Sequence, residues 1–373
     1  MISFKPNVLL VLLDGSRTDR LSISEEFNEI VQKGTLLNNV STTIPYTVGA
    51  INAIFSGLYG KENGIDAYYK MLRLKDSVKV LQEILHENGY FTTCDLLHDK
   101  IITKRNFDIH QAHDEYTDNL MERHPEFIRT CFKNAKDKPL FCFLHFTRIH
   151  TITVSEVIKK FEWDDNSFYE NTENNLKQYD AVFLEAGKYA KKIVETINNL
   201  NKINETIIIF FADHGTGIGE RFGERNYGSF TYEETIRTFF LFLGRNILKN
   251  RISDKLRSSI DFFPTILQLC GIKLELERPG KSFANYLIQK IELEEIPYTF
   301  SETGALQGPF PSPKEPNVFC VKTPRYKLMY LKTPNEWKFY DLKIDEKEQN
   351  DISGKGLSIE KELKQILLDW MNR

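Results

Sequence analysis

Residues 207–215 read Ile-Ile-Ile-Phe-Phe-Ala-Asp-His-Gly, an apolar run that stops abruptly at a carboxylate, an imidazole and a glycine. A run this long and this rich in β-branched and aromatic residues predicts a strand buried on both faces, the kind found in parallel sheets covered by helices. Asp213 and His214 then stand at its carboxyl tip, and ligands bind α/β sheets in the crevice outside those tips. An adjacent Asp and His also suit a divalent metal. On this dipeptide alone a helix-capping Asp followed by a surface His remains open.

A second run, Asn7 to Leu13, ends in another carboxylate, Asp14, followed by Gly15-Ser16-Arg17-Thr18-Asp19. Two strands thus deliver acids to one sheet edge, and their distance in sequence is no obstacle in a doubly wound sheet. Between them lies Thr42 to Gly60, helical in pattern from Val48, with Gly57 as its C-cap. Thr47 falls where that helix begins. Its hydroxyl can serve as an N-cap, or as a nucleophile activated by a metal and by the helix N-terminus.

The remainder reads as scaffold. A chain of 373 residues can bury a large core, and we expect a catalytic α/β domain over 1–290 followed by a small α+β subdomain over 291–373. Helical patterns cover Ser77–Asn88 and Tyr179–Asn198, as a doubly wound sheet requires. Val318–Leu331 and Trp337–Leu342 read as antiparallel strands. Ser358–Asn372 places Ile359, Leu363, Ile366, Leu367 and Trp370 on one helical face. The segment Asn106–Glu122, with His110, His113 and Asp114, is polar and is expected to be a solvated loop.

Net charge is −3 with the basic residues dispersed, so neither a nucleic-acid stripe nor a polybasic membrane patch is indicated. The first apolar run stops at Asp14 without a cleavage signature and reads as a strand, not a secretory signal. No segment approaches the roughly 18 apolar residues of a membrane span. Cys94, Cys131, Cys142, Cys270 and Cys320 are odd in number and lack metal spacing, so buried, reduced thiols and a cytoplasmic location are expected.

Taken together, these pieces resemble the sulfatase-type members of the alkaline phosphatase superfamily over nearly the whole chain. The resemblance is carried by Asn7–Asp19, Thr47–Gly60, Gly89–Thr92, Pro139–His150 and Thr206–Gly215, then Asp261–Thr265 with Gly271, and finally Thr323–Leu328 with Tyr340–Leu342. It implies a doubly wound, mostly parallel sheet flanked by helices, with a small C-terminal antiparallel sheet plus helix. It further implies one divalent metal held by Asp14, Thr47, Asp213 and His214, with Thr47 as nucleophile and His150 at the ester oxygens or leaving group. Thr43 is the alternative nucleophile, but the spacing from Thr47 to Gly57 matches the family better.

The departures from the family pattern shape the expected chemistry. Sulfatases oxidise a Cys or Ser nucleophile to formylglycine, and Thr cannot be converted. Thr47 therefore resembles the nucleophile of phosphoethanolamine and phosphoglycerol transferases, and the expected activity is phosphodiester or phosphonate monoester cleavage, or phospho-group transfer, through a phospho-threonine. The alternatives are a non-catalytic binder of an anionic glycan or polymer, or an atypical sulfuric ester hydrolase. Gly15 replaces the family's second acid and His214 replaces an Asn, which favours manganese or zinc over calcium or magnesium. No histidine follows His214, consistent with one metal. Ile51 stands where sulfatases carry a charge-stabilising Arg, leaving Asn52, Arg17, Lys100 and Arg225 as candidate anion contacts. Tyr227 replaces a His or Lys of many relatives and, with Asn226, is expected to line the site. The expected partner is a small-molecule or glycan-linked phosphoester, with no nucleic acid and no transmembrane segment.

Overall fold

A computed structural model describes residues 5–158, 166–273 and 275–373. Its centre is β1 (Asn7–Leu13), whose seven residues are all buried. Alternate side chains leave a strand on opposite faces, so Val8, Leu10 and Leu12 enter one apolar core while Leu9, Val11 and Leu13 enter another. This is why the run is continuously apolar. Each such side chain, fully buried, contributes about 1.5–3 kcal/mol.

The large sheet also contains β2 (Gly34–Ser41), β3 (Phe91–Leu96), β4 (Ile109–Ala112), β5 (Leu140–Phe146), β6 (Thr206–Phe211), β7 (Arg237–Gly244), β8 (Arg251–Ser253) and β9 (Arg257–Ser258). Its order is β4-β3-β5-β1-β6-β7-β2-β8, with β9 beside β2. The strands from β4 to β6 run parallel, and β7 enters antiparallel to both β6 and β2. In register, Leu12 lies between His145 and Phe211. Three parallel strands therefore end side by side, and whatever follows them converges on one edge.

The helix Thr47–Ser56 packs Ile51, Ile54 and Phe55 into the first core. The helix Thr172–Asn199, longer than the Tyr179–Asn198 pattern, packs Tyr179, Phe183, Tyr189 and Ile193 into the second. The Ser77–Asn88 pattern shortens to a helix at Leu81–Glu87, where the Glu83 carboxylate accepts the Val80 N–H at 3.0 Å as an N-terminal cap.

A second, antiparallel sheet follows: β10 (Thr299–Thr303), β11 (Val318–Lys322), β12 (Tyr326–Leu331) and β13 (Glu336–Asp341), in that order. The helix Ser358–Asn372 covers it, burying Leu363, Leu367 and Trp370 against Val321, Leu328 and Phe339. This sheet meets the large one at the turn before Thr47. Glu302 N–H donates to Thr43 O at 2.9 Å, and Ser301 Oγ donates to Thr42 O at 2.6 Å.

One expectation is overturned. Asn106–Glu122 is not a solvated loop, because Ile109–Ala112 pairs in parallel with β3 as β4 and His113 behind it is buried. Asp114 does stay exposed and caps a turn by accepting from Tyr116 N and Thr117 N. All five cysteines are buried and free, as expected. Among the described residues no helix is long and apolar enough to cross a membrane.

Candidate active site

Asp14 follows β1 directly, and Asp213 and His214 lie two and three residues beyond the end of β6. Parallel pairing of the two strands brings the three side chains together, their ligand-capable atoms lying within 4.8 Å of one another. All three are buried. Thr47 is the first residue of its helix, whose N-cap is Tyr46, so its hydroxyl is not a cap. That hydroxyl lies 3.2 Å from His214 Nε2 and 3.4 and 3.5 Å from the two oxygens of Asp14. His214 Nε2 is in turn 3.4 Å from Asp213 Oδ2 and 3.6 Å from Asp14 Oδ1.

The direction of His214 is fixed by its other nitrogen. Nδ1 lies 2.8 Å from the carbonyl of Gly215, which can only accept, so Nδ1 carries the proton and Nε2 turns a lone pair toward Thr47 and the two acids. Asp14 is set by His145. Leu97 N–H donates to His145 Nδ1 at 3.4 Å, leaving His145 Nε2–H to donate to Asp14 Oδ2 at 2.8 Å. The other Asp14 oxygen is left facing the cluster.

The two acids are buried alike yet displaced in opposite directions. Burial pushes both up, but His150, His145 and His214 around Asp14 outweigh it and hold that carboxyl well below its ordinary range. For Asp213 burial wins over His214, and the Asp14 charge adds to it, so its proton is held more tightly than usual. Asp213 Oδ2 is buried without a hydrogen-bond partner among the described residues. That orphaned oxygen and the inward lone pair of His214 fit a cation. Four donors at about 2.1 Å in a tetrahedron stand about 3.4 Å apart, and the separations from Thr47 to Asp14 and His214 and from His214 to the two acids run from 3.2 to 3.6 Å. Six oxygen-type donors at about 2.4 Å would give nearly the same spacing, so geometry fits a divalent metal without choosing which.

Two more expected residues are brought to the cluster. His150, in the helix Arg148–Ile152, has Nδ1 3.9 Å from Asp14 Oδ1. The Tyr227 ring packs against His214 at 4.1 Å and His150 at 5.6 Å between centroids. Tyr227 and Asn226, with Tyr46, Tyr68 and Gln307, also line a cavity of about 50 Å³ beside them.

Other expected contacts are directed elsewhere. The Arg17 guanidinium pairs with Asp19 at 3.0 Å and with Glu220, and faces a separate cavity of about 380 Å³. Asn52 spends its amide group on Val48 O at 2.7 Å, one helical turn back, and on Ile101 O at 3.0 Å. Lys100 is exposed on the loop after β3, whereas Arg225, its guanidinium over Phe168 at 5.0 Å, lines the same cavity as Asn226 and Tyr227. The backbone of Thr43 is tied to Ser259 and Glu302 at the junction of the two sheets. Gly15, in place of the family's second acid, has φ +71, and a Cβ there would sit 2.8 Å from Thr216 Oγ1. A side chain at 15 would therefore have to adopt left-handed backbone and displace the Thr216 hydroxyl.

Sequence reasoning missed His145. The signal was available: a histidine inside the otherwise apolar strand Leu-Phe-Cys-Phe-Leu-His-Phe must find a partner or strand a polar ring in the core.

Comparison with known proteins identifies the family. The family model described as Sulfatase matches residues 6–272, and that described as N-sulphoglucosamine sulphohydrolase, C-terminal, matches 223–372. A Delta 4,5-hexuronate-2-O-sulfatase of Bacteroides thetaiotaomicron is 22% identical over 423 residues, covering 94% of this chain and 85% of its own. Among solved structures, a 2-O GAG sulfatase superposes with TM-score 0.83 at 20% identity, covering 99% of this chain and 92% of the other. A phosphonate monoester hydrolase of Agrobacterium radiobacter superposes with TM-score 0.79 at 15% identity, covering 99% and 96%. With one family model spanning both strand tips and a second taking in the small sheet and its covering helix, the chain belongs to the sulfatase family.

Proposed function

We propose that this chain is a metal-dependent hydrolase of monoanionic oxyacid esters carried on a glycan-sized alcohol, with Thr47 as nucleophile. The observation that carries this is the convergence of Asp14, Thr47, Asp213 and His214 at ligand-to-ligand spacing. Asp14, Thr47, Asp213 and His214 would hold a divalent ion, whose positive charge would lower the pKa of the Thr47 hydroxyl and offset charge on the ester oxygens. The imidazole at 214 favours manganese or zinc. Thr47 Oγ1, its proton released to water, attacks the sulfur or phosphorus as the bond to the alcohol oxygen breaks, and His150, 3.9 Å from Asp14, gives the departing alcohol its proton. Water then cleaves the ester formed on Thr47.

The charge of the site supports a monoanion. Two carboxylates offset a dication, and the guanidinium expected to add to it, Arg17, is spent on Asp19 and Glu220. Sulfate monoesters, phosphodiesters and phosphonate monoesters each carry one charge, whereas phosphate monoesters carry about two near neutrality. Among the monoanions, sulfuric esters take first place. Sulfatases acting on glycans resemble the chain along nearly its whole length. The phosphodiester or phosphonate reading is the second, supported by the residue type at 47 and by the phosphonate monoester hydrolase likeness.

Protein loaded in turn with manganese or zinc, presented with an aryl sulfate, a bis-aryl phosphodiester, an aryl phosphonate monoester and an aryl phosphate, tests both levels. Turnover of one or more monoanions above the phosphate monoester is expected. Preference for the dianion would overturn the charge argument, and preference for a phosphorus ester over the sulfate would reverse the order of the two readings.

A further inference from the structure

Beside the candidate active site, β3, the residue after β4, and the helix Leu120–Ala135 close around a second set of titratable side chains. Asp95, His113 and His124 are buried, and their ligand-capable atoms lie within 4.8 Å of one another. His113 Nδ1 is 3.1 Å from Asp95 Oδ1. His124 Nδ1 is 2.5 Å from the Tyr189 hydroxyl, while its opposite nitrogen, Nε2, has no hydrogen-bond partner among the described residues. An imidazole nitrogen kept dry and unpaired is costly, and nothing in the chemistry at Asp14 uses it.

We propose that Asp95, His113 and His124 form a second metal site, taking one zinc-class divalent ion independently of the Asp14 cluster. Two imidazoles and one carboxylate are a zinc-type donor set, whereas calcium and magnesium take oxygen. The surroundings hold each donor in place. Arg123 Nε donates to Asp95 Oδ2 at 2.7 Å and its Nη2 to Oδ1 at 3.5 Å, fixing the carboxylate whose Oδ1 also faces His113. Tyr189 holds His124 by Nδ1, leaving Nε2 as its unpartnered nitrogen among the described residues. Such outer contacts are what orient metal ligands elsewhere. The two sites are neighbours. The His113 ring lies 6.3 Å from that of His145, and His145 donates to Asp14. An ion at the second site would stiffen the wall on which His145 rests.

The test is zinc stoichiometry on chelator-stripped protein reloaded with zinc chloride, desalted and assayed by elemental mass spectrometry. Wild type should hold about two ions per chain, and Asp213→Ala/His214→Ala, which disables the first site, about one. Adding His124→Gln to that variant should reduce bound zinc at least tenfold while cooperative melting persists. Zinc-edge absorption on Asp213→Ala/His214→Ala should show donors at about 2.0–2.1 Å with imidazole outer-shell scattering. No zinc in Asp213→Ala/His214→Ala, or zinc undiminished by His124→Gln, would overturn the proposal. If the His124→Gln protein does not fold, the absorption spectrum decides, and a shell without imidazole overturns it equally.

Discussion

Replacing His145 with Leu separates positioning of the metal site from the site itself. His145 touches no substrate in this account; its Nε2–H holds Asp14 Oδ2 at 2.8 Å, with both groups buried. A hydrogen bond to a buried charge contributes about 1.5–3 kcal/mol, and Leu also leaves the Leu97 N–H without its acceptor. The metal-free variant should therefore be destabilised by about 2–4 kcal/mol, a drop of roughly 4–16 °C in melting temperature at 2–4 °C per kcal/mol. With metal, losing the group that orients a ligand lowers affinity about 10–100-fold. Gln places an amide nitrogen near the position of Nε2, so His145→Gln should recover most of the affinity. Isothermal titration with manganese or zinc reads this directly. A folded His145→Leu protein that binds metal as wild type does would refute the role given to His145, and with it the orientation of Asp14.

Three further outcomes follow from the same geometry. Thr47→Ala should lose at least about a thousandfold in turnover yet melt within a few degrees of wild type, because the N-cap is Tyr46 and Ala is a good helix former; equal losses of activity and stability would count against a nucleophile. Arg17→Ala should leave kcat/KM within about threefold, since its guanidinium is spent on Asp19 and Glu220, and a hundredfold loss would restore it as an anion contact. Stability should fall as pH rises from 6 to 9. Burial pushes Glu302 up to about 8 and Glu224 up to about 8, so each folded carboxyl keeps its proton above the unfolded value, and the associated stability disappears as pH passes the folded pKa. Glu302→Gln should remove roughly half of that decline, of order 2 kcal/mol, in urea titrations at the two pH values; an unchanged decline would contradict the assignment.

The strand tips were legible because a strand buried on both faces leaves a continuous apolar record, and Asp14, Asp213 and His214 end two such records. The helix from Thr47 was legible by its period and by Gly57, which adopts the expected left-handed φ of +67. What failed was partnership. Arg17 looked like an anion contact until Glu220, distant in sequence, was folded against it. Asn52 looked available because its amide's acceptor, a carbonyl one helical turn back, carries no residue code. His113 was read by its polar neighbours, although Asp95 at the end of a buried strand already called for a partner. β2 was invisible because its Asn-Asn interrupts the alternation where the ladder shifts register against β7. The antiparallel entry of β7 likewise follows from connection geometry, not from any residue in it.

The central claim is that Thr47 Oγ1 becomes covalently bonded to the oxyacid during turnover. Metal-loaded enzyme mixed with its best ester, acid-quenched within one turnover and digested, should yield a sulfo or phospho adduct on the peptide that spans Thr42, Thr43 and Thr47. Accurate mass distinguishes sulfur from phosphorus, and fragmentation locates the residue. The account predicts the adduct on Thr47, absent from Thr47→Ala and from protein stripped of metal. An adduct on Thr43, or wild-type turnover by Thr47→Ala with no adduct at all, would contradict it.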